Sequence, residues 1–412
     1  MKLSTIALRN VFRNKRRSIL CMVAIGVAAM SIVLLFSLLA GMKADMRGNI
    51  VNFFTGEIRI RHNEYGKYER LNPLHLRVDN YKELINNIEN INDITGVSPR
   101  INFPTAIFIG EEQYGAQGIG MDFEREQNYQ DFSKIDISGR LPENGNSETI
   151  IGSGLAEELN IGVGDKFTIL SQTMRRATNA ITLEVVGIAH FPVAMMNEKN
   201  FLVPIGTAQY FLRMDNAVTE LLIKHRADSN NELENQAAQI EHLASEMGYN
   251  NLEVKSLNQI NTTYSFMVIA EQIYNVIAIF FFVLGSTVVI TTTMMVIYER
   301  MREIGTIAAL GMTNQEITRL FFYESLYISI IGSALGCTIG IVFTLILNYT
   351  GIDLTAAMEG VDMEISGMIF PQLNLKSTIG VFFFSVIVAS LTTFVPSRKA
   401  AKVEPVEALR TI

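Results

Sequence analysis

Few residues in this 412-residue chain have the type and spacing that chemistry needs. Its five histidines, His62, His75, His190, His225 and His242, are scattered and never paired at metal-ligand spacing. Its two cysteines, Cys21 and Cys337, both fall inside apolar runs, so neither reads as a disulfide half or a metal ligand. Gly66-Lys67 is followed by Tyr68 and lacks the glycine-rich pattern that cradles phosphates, and no G-x-S-x-G nucleophile elbow occurs. The expectation is a chain with no catalytic residues, no metal site and no cofactor of its own. If ATP drives it, another chain binds the nucleotide and its magnesium. The net charge of −7 and the lack of an extended basic patch away from the apolar runs argue against nucleic acid as a partner.

One short segment does concentrate charge and pattern. Tyr298 to Thr313 begins with Glu299 and Arg302, which can pair at i, i+3 on a helix. Met301, Ile304, Ile307, Ala308 and Leu310 give it an apolar side, and Gly311 suits a helix C-terminus. Thr313 and Glu316 then have capping-box spacing for the next helix. Taken alone, this is an amphipathic interfacial turn between two longer elements.

Those longer elements are membrane spans. A helix needs about 20 mostly apolar residues to cross the hydrocarbon core. Four charge-free runs qualify: Ser18 to Met42, Gln272 to Tyr298, Ser325 to Ile352 and Ser377 to Ser397. The resulting division is a basic segment 1–17, spans at 18–42, 266–298, 317–348 and 375–397, a water-exposed domain at 43–265, the charged helix at 299–313, a loop at 349–374 and a tail at 398–412. The first run is too long for a secretory signal and lacks a small-residue cleavage site. Lys2, Arg9, Arg13, Lys15, Arg16 and Arg17 precede it, and Arg398, Lys399, Lys402 and Arg410 follow the last span. The loop between the last two spans instead carries Asp353, Glu359, Asp362 and Glu364. By the positive-inside rule both termini are cytoplasmic and 43–265 lies outside.

The spans hold almost no charge, with Glu271 and Glu324 near their ends, so no polar route for a solute is visible. Met42, Met46, Ile50 and Phe53 keep helical spacing beyond the first span. A second helix beginning near Asn261 would run about 50 Å at 1.5 Å per residue. Both would stand above the membrane as stalks, with a flexible linker as the alternative. Gly332, Gly336 and Gly340 form a GxxxGxxxG stripe for close helix packing, within the chain or with a second copy.

The exposed domain reads as α+β. Leu74 to Val78, a helix around Tyr81 to Ile91, and Val97 to Phe103 form one strand–helix–strand unit. Thr219 to Lys224, a helix near Asn230 to Met247 capped by Ser229 and Glu232, and Leu252 to Leu257 form another. The glycine-rich stretch between, about 122–216, reads as a second, mostly β lobe. The fold class is therefore four transmembrane helices plus an extracytoplasmic α+β domain of two lobes.

The motifs resemble a family. Glu299-Arg300-x-Arg302-Glu303-Ile304-Gly305, then Ala309-Leu310-Gly311 and Glu324-Ser325, resemble the signature of FtsX-like permeases of ABC transporters. Ala7 to Asn10 with Arg13 to Arg17, and Pro396 to Lys402 with Pro405 to Leu409, match it too, as does the order of span, large domain and three spans. The resemblance implies a mechanotransmission transporter of the bacterial inner membrane. A cytoplasmic ATPase would dock on Glu299, Arg300, Arg302, Glu303, Ile304, Gly305, Leu310 and Gly311, and a second permease, identical or homologous, would complete it. Gly118 to Asp122, Ile150 to Leu155 and Gly164 to Ile188 are similar to the lipoprotein-releasing branch. That branch's carrier-recruiting subunit has a longer hook than Gln172 to Ala180 offers here. Three functions stay open: lipoprotein release, with or without a periplasmic carrier or adaptor; export of peptides, macrolides or other amphiphiles; and control of a cell-wall hydrolase. Met42, Met46, Ile50 and Phe53 on one stalk, and Phe266, Ile269 and Ile273 on the other, are the candidate contacts for acyl chains, unless they simply pack on each other.

Overall fold

The computed structural model describes residues 3–13, 15–130, 132, 135–226, 230–260, 272–280, isolated positions between 283 and 309, 311–354 and 366–401. The chain divides into two compact units. One comprises Met1–Lys43, Met267–Ile352 and Ile369–Ile412, and the other Ala44–Phe266 and Asp353–Met368.

Three helices among the described residues are long and apolar enough to cross a membrane: Ser18–Phe54, which begins in the first unit and ends in the second, and Asn314–Thr350 and Leu375–Arg398 in the first. Of the expected span 266–298, residues 272–280 and isolated positions beyond them are described and helical, and about half of the span lies outside the described residues. No proline interrupts Lys15–Asn49, and its Ala, Leu and Met content favours a continuous helix. A shorter helix, Leu3–Arg13, precedes it and buries Ala7 and Val11.

The helix closes in a π turn at Ile50–Phe54, whose last bond runs from the Thr55 N–H to the Ile50 carbonyl at 2.9 Å. Gly56 follows with φ +69°, and a Cβ there would meet the Ile223 backbone at 3.0 Å, so the tight exit demands glycine.

The second unit is built on strands β1 (Ile58–His62), β2 (Ile94–Ile109), β3 (Glu112–Met121), β4 (Asp136–Gly139), β5 (Glu148–Gly152), β6 (Lys166–Gln172), β7 (Thr178–His190), β8 (Asn200–Pro204), β9 (Glu220–His225) and β10 (Leu252–Ser256). Their order is β10-β1-β9-β2-β3-β8-β5-β7-β4, with β6 pairing β2 and β7. Strands of both expected lobes thus share one hydrogen-bond network, because β2 pairs with β9 near its start and with β6 near its end. The alternation in β1 places Ile58 and Ile60 in the main core, with the helices Tyr81–Ile88 and Asn230–Glu246 packed over them. Burying each such isoleucine is worth about 1.5–3 kcal/mol.

Three local differences from the sequence reading stand out. The strand expected at Leu74 to Val78 is only Val78–Asp79, since Pro73 starts a turn and only two residues find partners, at Ala217 and Val218. The strand expected to end at Phe103 runs on to Ile109, across Pro104. The helix expected to reach Ile91 stops at Ile88. Ser229 of the expected cap lies outside the described residues.

Candidate functional site

Of the proposed docking segment, Glu299, Arg300, Arg302, Glu303, Ile304, Gly305 and Leu310 lie outside the described residues. Its end is described. Gly311 has φ +100°, a conformation that a side chain resists and glycine adopts freely. Thr313 then caps the next helix: its hydroxyl accepts from the Glu316 N–H, and the Glu316 carboxylate accepts from the Thr313 N–H at 2.8 Å. The start of the span is therefore capped by Thr313 and Glu316 together.

Within the membrane unit, Asn314–Thr350 carries two different seams. On one, Gly332, Gly336 and Gly340 lie against Lys15–Asn49. A Cβ on Gly336 would fall 2.2 Å from the Gly26 carbonyl oxygen, and one on Gly332 would fall 2.8 Å from that of Met22. At Gly26 and Gly336 the backbones touch because neither residue carries a side chain, while Gly332 and Gly340 make room against Met22 and Val33 from one side only. The other seam is serine. Ser325 donates to the Ala389 carbonyl at 3.1 Å, Ser329 and Ser390 hydroxyls pair at 3.2 Å, and Ser385 donates to Ser333 at 2.6 Å. The serine spacing of four was visible in the sequence beside the glycines. At the start of the same helix, Glu324 is buried and accepts a hydrogen bond of 2.6 Å from Asn10.

In the α+β unit, the foot of the long helix is gripped by a buried arginine. Arg100, on β2, donates to the Phe53 carbonyl at 2.6 Å and the Asn52 carbonyl at 2.7 Å. These are end-of-helix carbonyls with no partner inside the helix, and a guanidinium there also opposes the helix dipole. Glu126 balances the charge, accepting from Arg100 at 2.5 Å and from the Ser98 hydroxyl. Arg100 and Glu126 side chains are 3% and 0% exposed. Burial works against the Arg100 charge, but Glu126 more than offsets it, so the guanidinium pKa lies above its usual value. The Tyr129 hydroxyl donates to the Val51 carbonyl at 2.8 Å, and burial drives its pKa upward, keeping it a donor. Lys224 donates to the Tyr129 carbonyl at 2.9 Å. Phe53 completes the joint by stacking edge-to-face on Phe191 at 5.8 Å. The signal for this joint was faint: an arginine between apolar residues in a strand, whose main partners are carbonyls with no sequence signature.

The candidate acyl contacts separate. Met46 and Ile50 are fully buried, Phe53 is buried in the joint, Met42 is half-buried and Ile273 is exposed, while Phe266 and Ile269 lie outside the described residues. Among the described residues, no group of three or more His, Cys, Asp or Glu stands close enough to hold a metal.

Apolar spans with close-packed seams, a capping box at the start of one span and a large α+β unit define a membrane subunit of the permease class. Residues 18–243 match the MacB-like periplasmic core domain, and residues 275–405 match the FtsX-like permease C-terminal family. The chain belongs to the FtsX-like permeases of ABC transporters, of the kind that carries a MacB-like periplasmic core. It is 23% identical to an uncharacterised ABC transporter permease of Methanocaldococcus jannaschii, over 98% of this chain and 97% of that one. It is also 23% identical to the lipoprotein-releasing system transmembrane protein LolC of Neisseria meningitidis serogroup B, over 94% of this chain and 92% of that protein. A macrolide export ATP-binding/permease protein, MacB of Bdellovibrio bacteriovorus, is 24% identical over 96% of this chain but only 60% of its own length.

Proposed function

We propose that this chain is the permease subunit of a mechanotransmission transporter that extracts lipoproteins from the outer leaflet of the inner membrane. In this reading both termini are cytoplasmic, and a separate ATPase, holding ATP and magnesium, docks on the 299–311 segment. A second permease, identical or homologous, completes the complex. The observation that carries the reading is the character of the spans. Among the described residues of Asn314–Thr350, the one buried carboxylate, Glu324, already bonds to Asn10 near the end of the span, and the helix's inner faces are glycine and serine seams. Such a bundle suits helices that move as bodies better than a lined polar route, since an ionised group in hydrocarbon costs at least about 2.5–3.5 kcal/mol. A lipoprotein's acyl chains need no such route, because they stay in lipid until a stroke lifts them out, at about 0.8 kcal/mol per CH₂.

Likeness to LolC supports release, and likeness over nearly the whole of this chain to MacB supports the second reading, export of an amphiphile from the periplasm. A photo-crosslinker at exposed Ile273, in the complex assembled with its ATPase, separates the two. Capture of an acylated protein without nucleotide, lost when ATP binds, is the expected result. Capture of phospholipid alone, unchanged by nucleotide, would sink the release reading and move weight to export. For the docking segment, Glu303→Lys should leave insertion intact and release or uncouple the ATPase. Normal assembly with normal substrate-stimulated hydrolysis would refute that assignment.

A further inference from the structure

The helix Leu3–Arg13 is held by one face and leaves another uncovered. Ala7 and Val11 are buried, Asn10 bonds to Glu324, and the Ser18 hydroxyl donates to the Val11 carbonyl at 2.8 Å. The helix therefore cannot roll. Leu8 and Phe12, one turn apart, face outward, with Phe12 60% exposed. Beside them stands exposed Arg9, and exposed Lys15 and Arg16 open the next helix. The sequence has no acidic residue before Asp45. The apolar side chains Ile19, Leu20 and Val23, exposed within the first span, mark surface that meets lipid just beyond these cations.

We propose that this N-terminal elbow is a binding site for anionic phospholipid headgroups. Leu8 and Phe12 sit among the upper acyl carbons, and Arg9, Lys15 and Arg16 reach up to the phosphates, their aliphatic stems lying along the apolar surface. Charge complementarity and continuity with the span's lipid-facing surface favour lipid over a protein partner as the occupant. The site works whatever substrate the permease handles, and whether or not an ATPase is bound.

The chain contains no tryptophan, so Phe12→Trp places one fluorophore at the site without disturbing a buried position. The full-length protein is reconstituted in nanodiscs of phosphatidylcholine with a minority of phosphatidylglycerol, bromine being carried on the acyl chains of one lipid or the other. Brominated phosphatidylglycerol should quench at least about fivefold more per mole than brominated phosphatidylcholine, the factor one cation gives near an anionic surface. The preference should fall in Arg9→Gln/Lys15→Gln/Arg16→Gln and in high salt. Equal quenching by both lipids would reduce the elbow to an unselective apolar anchor and overturn the proposal. Quenching by aqueous iodide alone, or by neither lipid nor iodide, would place the helix in water or under protein and overturn it equally. Phe383→Trp, on the exposed side of another span, should be quenched alike by both lipids and by the same amount in the charge-depleted protein, which separates loss of the site from loss of the fold.

Discussion

Replacing Arg100 by methionine should show how firmly the foot of the first long helix is held. The substitution keeps volume and removes three things at once: the charge that balances fully buried Glu126, and the donors to the Asn52 and Phe53 carbonyls. Breaking a buried pair from one side costs about 3–5 kcal/mol, because the remaining charge is left uncompensated. For a unit of this size that lowers the unfolding midpoint by about 6–20 °C. Arg100→Met/Glu126→Leu removes both charges and should recover most of that loss, but not the carbonyl bonds. The measurement is thermal unfolding of the full chain in micelles, together with hydrogen exchange across 50–56. The double variant should regain stability while its exchange at the helix foot stays fast. A single variant within about 1 kcal/mol of wild type, or a double variant no better than the single, would refute the claim that Arg100 and Glu126 act as one buried joint.

Gly336→Ala should disrupt the membrane unit, because its new methyl would fall 2.2 Å from the Gly26 carbonyl oxygen, whereas Gly380→Ala, with nothing within 4 Å, should be silent; detergent-resistant folded yield checks both. Ser333→Ala and Ser385→Ala should each cost about 0.6–2 kcal/mol and show positive coupling in a double-mutant cycle of unfolding in micelles. Burial would raise the Glu253 pKa, but hydrogen bonds from Lys255 at 2.7 Å and Arg61 at 2.8 Å outweigh it and hold it below the usual carboxylate range. Its stabilisation is therefore complete above the unfolded pKa and is lost as pH falls through the lower folded one, so Glu253→Gln should flatten the acid limb of a stability–pH curve. A cysteine at Asn146 should react with an impermeant thiol reagent in intact spheroplasts and one at Asn314 only after lysis, with buried Cys21 and Cys337 giving little background; the reverse would invert the orientation.

The parts legible in the sequence are those where one residue's character decides its neighbourhood. Long uncharged runs announced the three described spans, and the Thr313–Glu316 cap was legible because each side chain bonds the other residue's backbone N–H three positions away. The unit Glu220–His225, Asn230–Glu246, Leu252–Ser256 was legible from its change of period. Illegible were features that need a partner far along the chain. Strand Ile94–Ile109 crosses Pro99 and Pro104, which locally argue against a strand, and its ladders to Glu220–His225 at Pro99 and to Glu112–Met121 at Pro104 override them. The Arg100 joint joins one side chain to backbone carbonyls 47 and 48 residues away. Gly332, Gly336 and Gly340 announced close packing, but Gly26, which has no glycine at i±4 in its run, did not announce itself as the counterpart of Gly336.

The contact between Gly26 and Gly336 has a consequence for biosynthesis. The two glycines are separated by roughly 300 residues, which at about 5–20 residues per second take some 15–60 s to translate. Throughout that interval the first helix waits in the bilayer with a bare backbone strip turned toward lipid, while residues 44–266 of the α+β unit are made. Any other small-residue helix inserting nearby is then a competitor for the strip. Faster elongation through 44–330 shortens that exposure and slower elongation lengthens it, so the yield of correctly paired bundle should track codon speed in a stretch that contains neither glycine.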